Sequence, residues 1–345
     1  MTSSLADALQ AFHRLPLLDG HTPIQRLERV ERALGAAGHA VRIFAKRDDH
    51  MALGGGGNKL RKLEFHLGAA LADKVDTIIT VGGLQSNHAR LTAAASAKHG
   101  LACELFLTKV VPRTDAEYER NGNIVLDRLF GARIHILPGN ANAVDAAMAR
   151  ADELRALGRK VLVIPTGGST SPGGLGYARC AGEIAEQETA LGLVFRQVVV
   201  PNGSSGTHAG LAAGFAMLGR GAALVRSYSV LADLEPTLQT TLRLTRETLT
   251  LLGHKHLPEA GDIDIDPTQR GVGYGIPTDE MIAAVRLLAQ QEGLLIDPVY
   301  SGKAFAGLLA DIRHGKYAAG DNVLFVMTGG TPGLYAYRSV FDSVG

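Results

Sequence analysis

The 345-residue chain has no tryptophan, only two cysteines, and few aromatics, with Phe, Trp and Tyr at 5% of residues. The missing tryptophan excludes nothing. The cysteines exclude more: Cys103 and Cys180 lie far apart and match no zinc or redox spacing, so no metal is expected. Two thiols in a chain of this size fit a reducing cytosol. An excess of one charge is also missing. Lys+Arg 35 against Asp+Glu 34 leaves +1, which argues against nucleic-acid or membrane binding driven by bulk charge. No stretch reaches ~18 uninterrupted apolar residues, so no membrane span is expected. Met1 to Leu18 has no apolar run behind a basic start, so no signal peptide is expected and the cytoplasm is the expected location.

Familiar signatures are missing too. There is no G-x-G-x-x-G after a strand with an acid ~20 residues on, and no G-x-x-x-x-G-K-[ST]. G-x-S-x-G and H-E-x-x-H are absent. His254 and His256 have chelating spacing but no third ligand nearby, and read as a solvated loop. Internal repeats, low-complexity tracts and long charge runs do not occur.

What is present is apolar and glycine-rich. Hydrophobic residues make up 46% and charged residues 20%, enough to bury a substantial core. Glycine is 42 of 345 with no Gly-X-Y period, so the excess belongs to turns where backbone approaches a ligand. At roughly 150 residues per domain the length suggests about two domains. Short β-branched runs at 77–81, 103–107, 133–137, 161–164, 197–200 and 323–327 have the length of buried strands. Between them lie helical patterns. Leu60, Leu63, Leu67 and Leu71 make one stripe, and 87–99, 144–157 and 278–292 read as further helices. This alternation predicts an α/β fold with mainly parallel twisted sheets flanked by helices. The glycine run 54–57 and the glycine-rich stretch 166–176 punctuate the chain. They predict a smaller α/β domain at 58–171, inserted into a larger one made of 1–57 and 172–345. The polar segment 254–277 reads as an extended loop.

Three Gly-rich turns each open a helix. Asn202 to Gly210 follows an apolar strand and offers free N–H groups and hydroxyls at a positive helix end. It reads as a phosphate cradle without Lys or Arg, or else as a tight turn with glycine for steric reasons. In Gly55 to Glu64, Lys59 stands in the first helical turn, where a cation is disfavoured. A poorly solvated amine there has a depressed pKa and can form a Schiff base; otherwise it is a surface lysine. Gly82 to Arg90 presents Gln85, Ser86 and Asn87, which can bind a carboxylate or simply cap the helix. Two further segments, 271–277 and 297–303, place Tyr274 and Tyr300 in Gly/Pro-rich turns, where a phenol can stack on a ligand or deliver a proton. Met327 to Thr331 closes a strand at the end where α/β folds bind ligands.

In order along the chain these pieces resemble the pyridoxal-phosphate enzymes of the tryptophan-synthase-β fold type. They are similar in particular to the branch holding D-cysteine desulfhydrase and 1-aminocyclopropane-1-carboxylate deaminase. The motifs that carry the resemblance are Lys46-Arg47-Asp48-Asp49, Gly56 to Phe65, Gln85-Ser86-Asn87-His88, Asn121-Gly122-Asn123, Gly203 to Gly210, Tyr274-Gly275-Ile276-Pro277, Asp297-Pro298-Val299-Tyr300 and Thr328-Gly329-Gly330. The resemblance implies pyridoxal 5'-phosphate as cofactor, a small amino-acid substrate and a homodimer. It implies that Lys59 holds the cofactor as a Schiff base, with Lys62 the lesser alternative. Asn87 would bond the ring hydroxyl. Gly203, Ser204, Ser205, Gly206 and Thr207 would hold the phosphate. Gln85, Ser86 and His88 would hold the substrate carboxylate, and Tyr274 and Tyr300 would line the substrate pocket, with Lys59, Ser86 and the two tyrosines as the catalytic set.

The branch turns on one position. The ring-opening deaminases carry Glu after Asp-Pro-Val-Tyr, facing the pyridine nitrogen; here it is Ser301. With Ser301 and Thr328 the ring nitrogen stays largely neutral, which suffices for β-elimination. The expected reaction is D-cysteine to pyruvate, hydrogen sulfide and ammonia. Release of sulfite from L-cysteate, with Arg90 and His88 holding the sulfonate, and deamination of the cyclopropane amino acid are the alternatives.

Overall fold

The computed structural model describes residues 4–342 and contains ten strands in two sheets. They are β1 (Ile24–Arg26), β2 (Arg42–Lys46), β3 (Thr77–Gly83), β4 (Ala102–Thr108), β5 (Arg133–Leu137), β6 (Val161–Ile164), β7 (Gln197–Asn202), β8 (Val225–Ser229), β9 (Asp264–Asp266) and β10 (Asn322–Val326). One sheet has the order β1-β2-β10-β7-β8-β9, parallel except for the β1–β2 pair. The other has the order β5-β4-β3-β6 and is parallel throughout. The α/β class with mainly parallel sheets is therefore as expected.

The central strands are apolar on both faces because helices cover both. On β10, Val323 and Phe325 face Met281 and Leu288 of the helix Asp279–Glu292 and Phe305 and Leu309 of the helix Ser301–Arg313. Leu324 and Val326 face Tyr177 and Ile184 of the helix Ser171–Leu191 and Leu211 and Phe215 of the helix Gly206–Met217. In the four-stranded sheet, Ile78 packs on Leu60, Leu63 and Leu67, while Ile79 and Val81 pack on Ala147 and Ala151.

The sequence pattern misses several elements. The Gly-rich stretch 166–176 is only half a loop: the helix Ser171–Leu191 begins inside it and contains Gly173, Gly174 and Gly176. A Cβ at these positions would strike the Gly168 carbonyl, the Thr248 hydroxyl and the Arg61 carbonyl. The glycines permit close helix packing and do not break the helix. Within 254–277, the strand β9 replaces part of the expected loop. It forms because Arg226 on β8 bonds Asp264 (2.6 Å) and Asp266 (2.7 Å) and offsets their charge along the shared edge. The short strand β2 and the polar strand β8 also escape the pattern. Cys103 and Cys180 are buried free thiols.

The helix Lys59–Ala72 is buried on nearly every side, since it lies between the Ser171–Leu191 helix and the four-stranded sheet. Arg61 anchors it. The guanidinium bonds Asp48 twice (2.8 and 2.9 Å) and Glu183 at 2.8 Å, and Lys46 donates to the same Glu183. Three helix N-termini, at Lys59, Asn87 and Gly206, thus converge at the carboxyl ends of the strands. Among the described residues no helix is long and apolar enough to cross a membrane.

Candidate active site

These N-termini enclose a cavity of about 300 Å3. Its walls include Asn58, Lys59, Ser86, Asn87, His88, Gly203, Ser204, Ser205, Thr207, Tyr274, Tyr300 and Thr328. No Asp, Glu or Arg is among the lining residues.

Lys59 stands on the floor. Burial lowers its pKa from the usual lysine range to about 8, against an opposing pull from Asp297. Asp297 is itself tied up, accepting from the backbone N–H groups of Val299, Tyr300 and Ser301 (2.8–2.9 Å). Lys62, one turn on, does not line the cavity. Its amine donates to Ser169 Oγ (3.0 Å) and to the Gly167 carbonyl (3.1 Å). Burial, then the charge of Lys59, holds its pKa well below normal.

The anion cradle follows β7. Ser205 sits at φ +65°, an unusual conformation for a residue with a side chain, and caps the helix Gly206–Met217. The turn leaves the first helical N–H groups without intrahelical partners, beside the hydroxyls of Ser204 and Thr207. Asn58 donates to Thr207 Oγ1 at 3.0 Å and couples the cradle to Lys59. Ser204 Oγ lies 2.8 Å from Ser169 Oγ, which takes the Lys62 bond. A Cβ on Gly206 would come within 2.8 Å of Lys62 Nζ. The turn has no Lys or Arg in its own motif but has the Lys62 amine directly behind it, brought by the fold and invisible to a local reading.

On the opposite wall the Asn87 amide has a fixed orientation. Its Oδ1 accepts from Asn123 Nδ2 at 3.0 Å, which leaves Nδ2 for the cavity. Ser86 caps the same helix by accepting from the Ala89 N–H. His88 lines the cavity with its Nε2 2.9 Å from Thr80 Oγ1. Burial, then Lys59, Lys62 and His66, push its pKa well down, so the ring is neutral. Tyr274 and Tyr300 share a hydroxyl–hydroxyl hydrogen bond, their rings meeting edge to face at 5.8 Å. Thr328 lines the cavity at the end of β10, and Ser301 Oγ meets Thr328 Oγ1 from behind.

Most of the residues singled out from the sequence are therefore brought together. Three are not on the wall. Gln85 turns away: its amide donates to the carbonyls of Tyr118 and Asn121 and its Oε1 accepts from the Asn123 N–H, so it braces the Asn121–Asn123 turn. Ser301 is fully buried behind Thr328. Gly206 is buried in the helix start. Arg90 is also absent from the cavity, since its guanidinium is spent on Gly56 O (2.6 Å) and Asn123 Oδ1 (3.2 Å). Asn58 and Asn123 also serve the site, through Thr207 and Asn87, and their only signal in the sequence is that Asn58 precedes Lys59 and Asn123 follows the Asn121-Gly122 turn. His254 and His256 lie 6.0 Å apart as rings, and no group of three potential metal ligands exists among the described residues.

A buried amine of lowered pKa, a helix-borne anion cradle and a hydroxyl at the end of a parallel strand define an α/β site for a phosphorylated, carbonyl-bearing group. The comparisons agree. Residues 15–329 match the family model described as pyridoxal-phosphate dependent enzyme, and the chain belongs to that family. It is 40% identical over 338 residues to a D-cysteine desulfhydrase of Serratia proteamaculans (strain 568), covering 97% of this chain and 99% of that one. It is 39% identical over 344 residues to a 1-aminocyclopropane-1-carboxylate deaminase of Allorhizobium ampelinum (strain ATCC BAA-846 / DSM 112012 / S4), covering 96% and 99%. A crystal structure of an ACC deaminase homologue superposes with a TM-score of 0.86 at 35% identity, covering 99% of each chain. The protein is a pyridoxal-phosphate dependent enzyme.

Proposed function

We propose that this enzyme is a β-eliminating lyase that converts D-cysteine to pyruvate, hydrogen sulfide and ammonia. The residues present fit the cofactor: an amine of lowered pKa, a helix N-terminus with the hydroxyls of Ser204 and Thr207, and a donor amide on Asn87. Bound pyridoxal phosphate supplies an electron sink for charge developing at the substrate Cα. Lys59 would hold it, and its buried amine, with a pKa of about 8, is suited to move the proton at the substrate Cα. The turn Gly203–Thr207, with Lys62 behind it, would hold the phosphate. Asn87 Nδ2 would donate to the ring hydroxyl. Ser86 and the adjoining backbone hold the substrate carboxylate, with neutral His88 as wall. Tyr274 and Tyr300 close the substrate side and exclude water. Gln85 supports the Asn121–Asn123 turn and does not touch substrate.

The observation that carries the choice of reaction is the hydroxyl pair. Thr328, backed by Ser301 at 2.8 Å, lines the cavity and would meet the ring nitrogen, and no carboxylate is among the lining residues. A hydroxyl leaves that nitrogen largely neutral. Loss of hydrosulfide, a good leaving group, tolerates the weaker sink; opening a cyclopropane does not. The relatives named D-cysteine desulfhydrase from Serratia and Yersinia, both 40% identical, support the same choice. Deamination of 1-aminocyclopropane-1-carboxylate is the second reading, favoured by relatives of that name at 38–39% identity. A sulfonate leaving group has less support, because Arg90 is engaged elsewhere, His88 is neutral and Val110, Val144 and Leu231 add apolar wall. With this reading go a homodimer in the cytoplasm and a division of the chain into 1–57 with 172–345 and 58–171. Pyruvate release from D-cysteine and L-cysteate, and 2-oxobutanoate release from the cyclopropane amino acid, assayed in parallel, test the reading. Turnover of D-cysteine alone supports it, and turnover of either other substrate in its place overturns it.

A further inference from the structure

Behind the cavity wall runs a chain of amides that starts at a buried cation. Arg90, fully buried, donates from Nη1 to Asn123 Oδ1 at 3.2 Å and from Nη2 to the Gly56 carbonyl at 2.6 Å. A guanidinium has no acceptor, so Asn123 must turn its oxygen toward Arg90. Asn123 Nδ2 then points the other way and donates to Asn87 Oδ1 (3.0 Å) and to the Gln85 carbonyl (3.0 Å). Asn87 in turn has its oxygen taken and only its NH2 group left for the cavity. Each amide is oriented by the one behind it, and every donor faces from Arg90 toward the site. Burial lowers the Arg90 pKa to about 10 and raises that of the nearby, fully buried Asp127 to about 8.

We propose that Arg90 and Asn123 are positioning residues that fix which end of the Asn87 amide faces the cavity, and thereby set the proton affinity of the bound cofactor. The proposal rests on the reading of Asn87 as the partner of the cofactor's ring hydroxyl. The phenolic oxygen and the lysine-linked nitrogen share one proton. When that proton leaves, the full negative charge falls on the oxygen, where a donor steadies it. A donor amide therefore lowers the pH at which the proton is lost, and an amide turned round to present its oxygen raises it. Arg90 also bonds the Gly56 carbonyl, three residues before Lys59.

The test is an absorbance titration of the holoenzyme, reading the pH midpoint at which the cofactor's visible band is lost. Three variants are compared with the parent: Asn87→Ala, Asn123→Asp and Arg90→Lys. Asn123→Asp keeps the shape and the bond from Arg90 but cannot donate to Asn87, so the Asn87 amide is free to turn. Its midpoint is expected to rise by about one pH unit or more, in the same direction as Asn87→Ala. Arg90→Lys keeps the charge but serves only one of its two acceptors. It is expected to shift the same way, and it carries the test if Asn123→Asp does not fold. If Asn87→Ala shifts the midpoint while Asn123→Asp and Arg90→Lys leave it unmoved and merely lower Tm, the amide chain is structural packing and the inference is overturned. If Asn87→Ala itself leaves the midpoint unmoved, the reading of Asn87 falls, and this inference with it.

Discussion

Ser301 Oγ lies 2.8 Å from Thr328 Oγ1, and of the two only Thr328 reaches the cavity. In the proposed reading the outer hydroxyl would meet the ligand and the inner one would hold it in place. Thr328→Val keeps the shape and removes the hydroxyl. Pyruvate release from D-cysteine is expected to fall roughly tenfold or more, the cost of one hydrogen bond to a partly charged group. Ser301→Ala removes only the support and is expected to cost less. A larger loss for Ser301→Ala than for Thr328→Val would reverse their order.

Gly203 carries no side chain because Tyr300 stands over it. A Cβ there would lie 2.9 Å from Tyr300 Cε1, and Tyr300 is held by its bond to Tyr274 and cannot swing clear. Gly203→Ala is expected to weaken cofactor affinity roughly tenfold, since overpacking costs on the order of 1–3 kcal/mol. Titration of apoenzyme with pyridoxal phosphate, followed by absorbance, measures it. An unchanged affinity would mean that the ring does not constrain the cradle.

Burial brings the Lys59 amine to about pH 8, where it attacks an aldehyde unprotonated. The rate at which apoenzyme takes up pyridoxal phosphate is expected to rise with pH and level off above about pH 8. A rate still rising toward pH 10, the range of an ordinary lysine, would contradict the desolvated placement of Lys59.

Much of this site is local in the chain and therefore legible in it. Lys59, the Ser86–His88 cap and the Gly203–Thr207 cradle each occupy a Gly-rich turn opening a helix, and such turns announce themselves by composition. The buried strands β3, β4, β7 and β10 are legible as apolar runs, and the half-buried edge strands β5 and β6 show the same β-branched pattern. What escapes is held by partners remote in sequence. The strand β9 exists because Arg226, 38 residues before Asp264, bonds its carboxylate. The helix Ser171–Leu191 keeps three glycines because the Gly168 and Arg61 backbones and the Thr248 side chain press against them. Gln85 and Arg90 carry the polarity of ligand-binding residues, yet the fold spends them on Asn121, Asn123 and Gly56. Residue type shows that a group can bind; it does not show which neighbour claims it first.

The buried network around Arg61 makes a prediction about acid stability. Burial alone would raise the Glu183 pKa, but Arg61 and Lys46 override it and bring it to about 2, against 4.5 for a free glutamate. A folded-state pKa below the unfolded one gives stability that is present above pH 4.5 and is lost as pH falls through 2. The shift amounts to roughly 3 kcal/mol. Urea unfolding at pH 7 is expected to show Glu183→Gln destabilised by about that amount or more, with the gap from the parent narrowing at pH 3. A gap of equal size at both values would place the loss in packing and not in charge.

The most direct test is to fix the cofactor to its lysine. Holoenzyme is treated with borohydride, which reduces a Schiff base to a stable amine, and the pyridoxyl-bearing peptide is located by mass spectrometry. The modification is expected on Lys59, the amine that lines the cavity, and not on Lys62, whose amine is held by Gly167 and Ser169. Modification of Lys62, or of neither, would contradict the site described here.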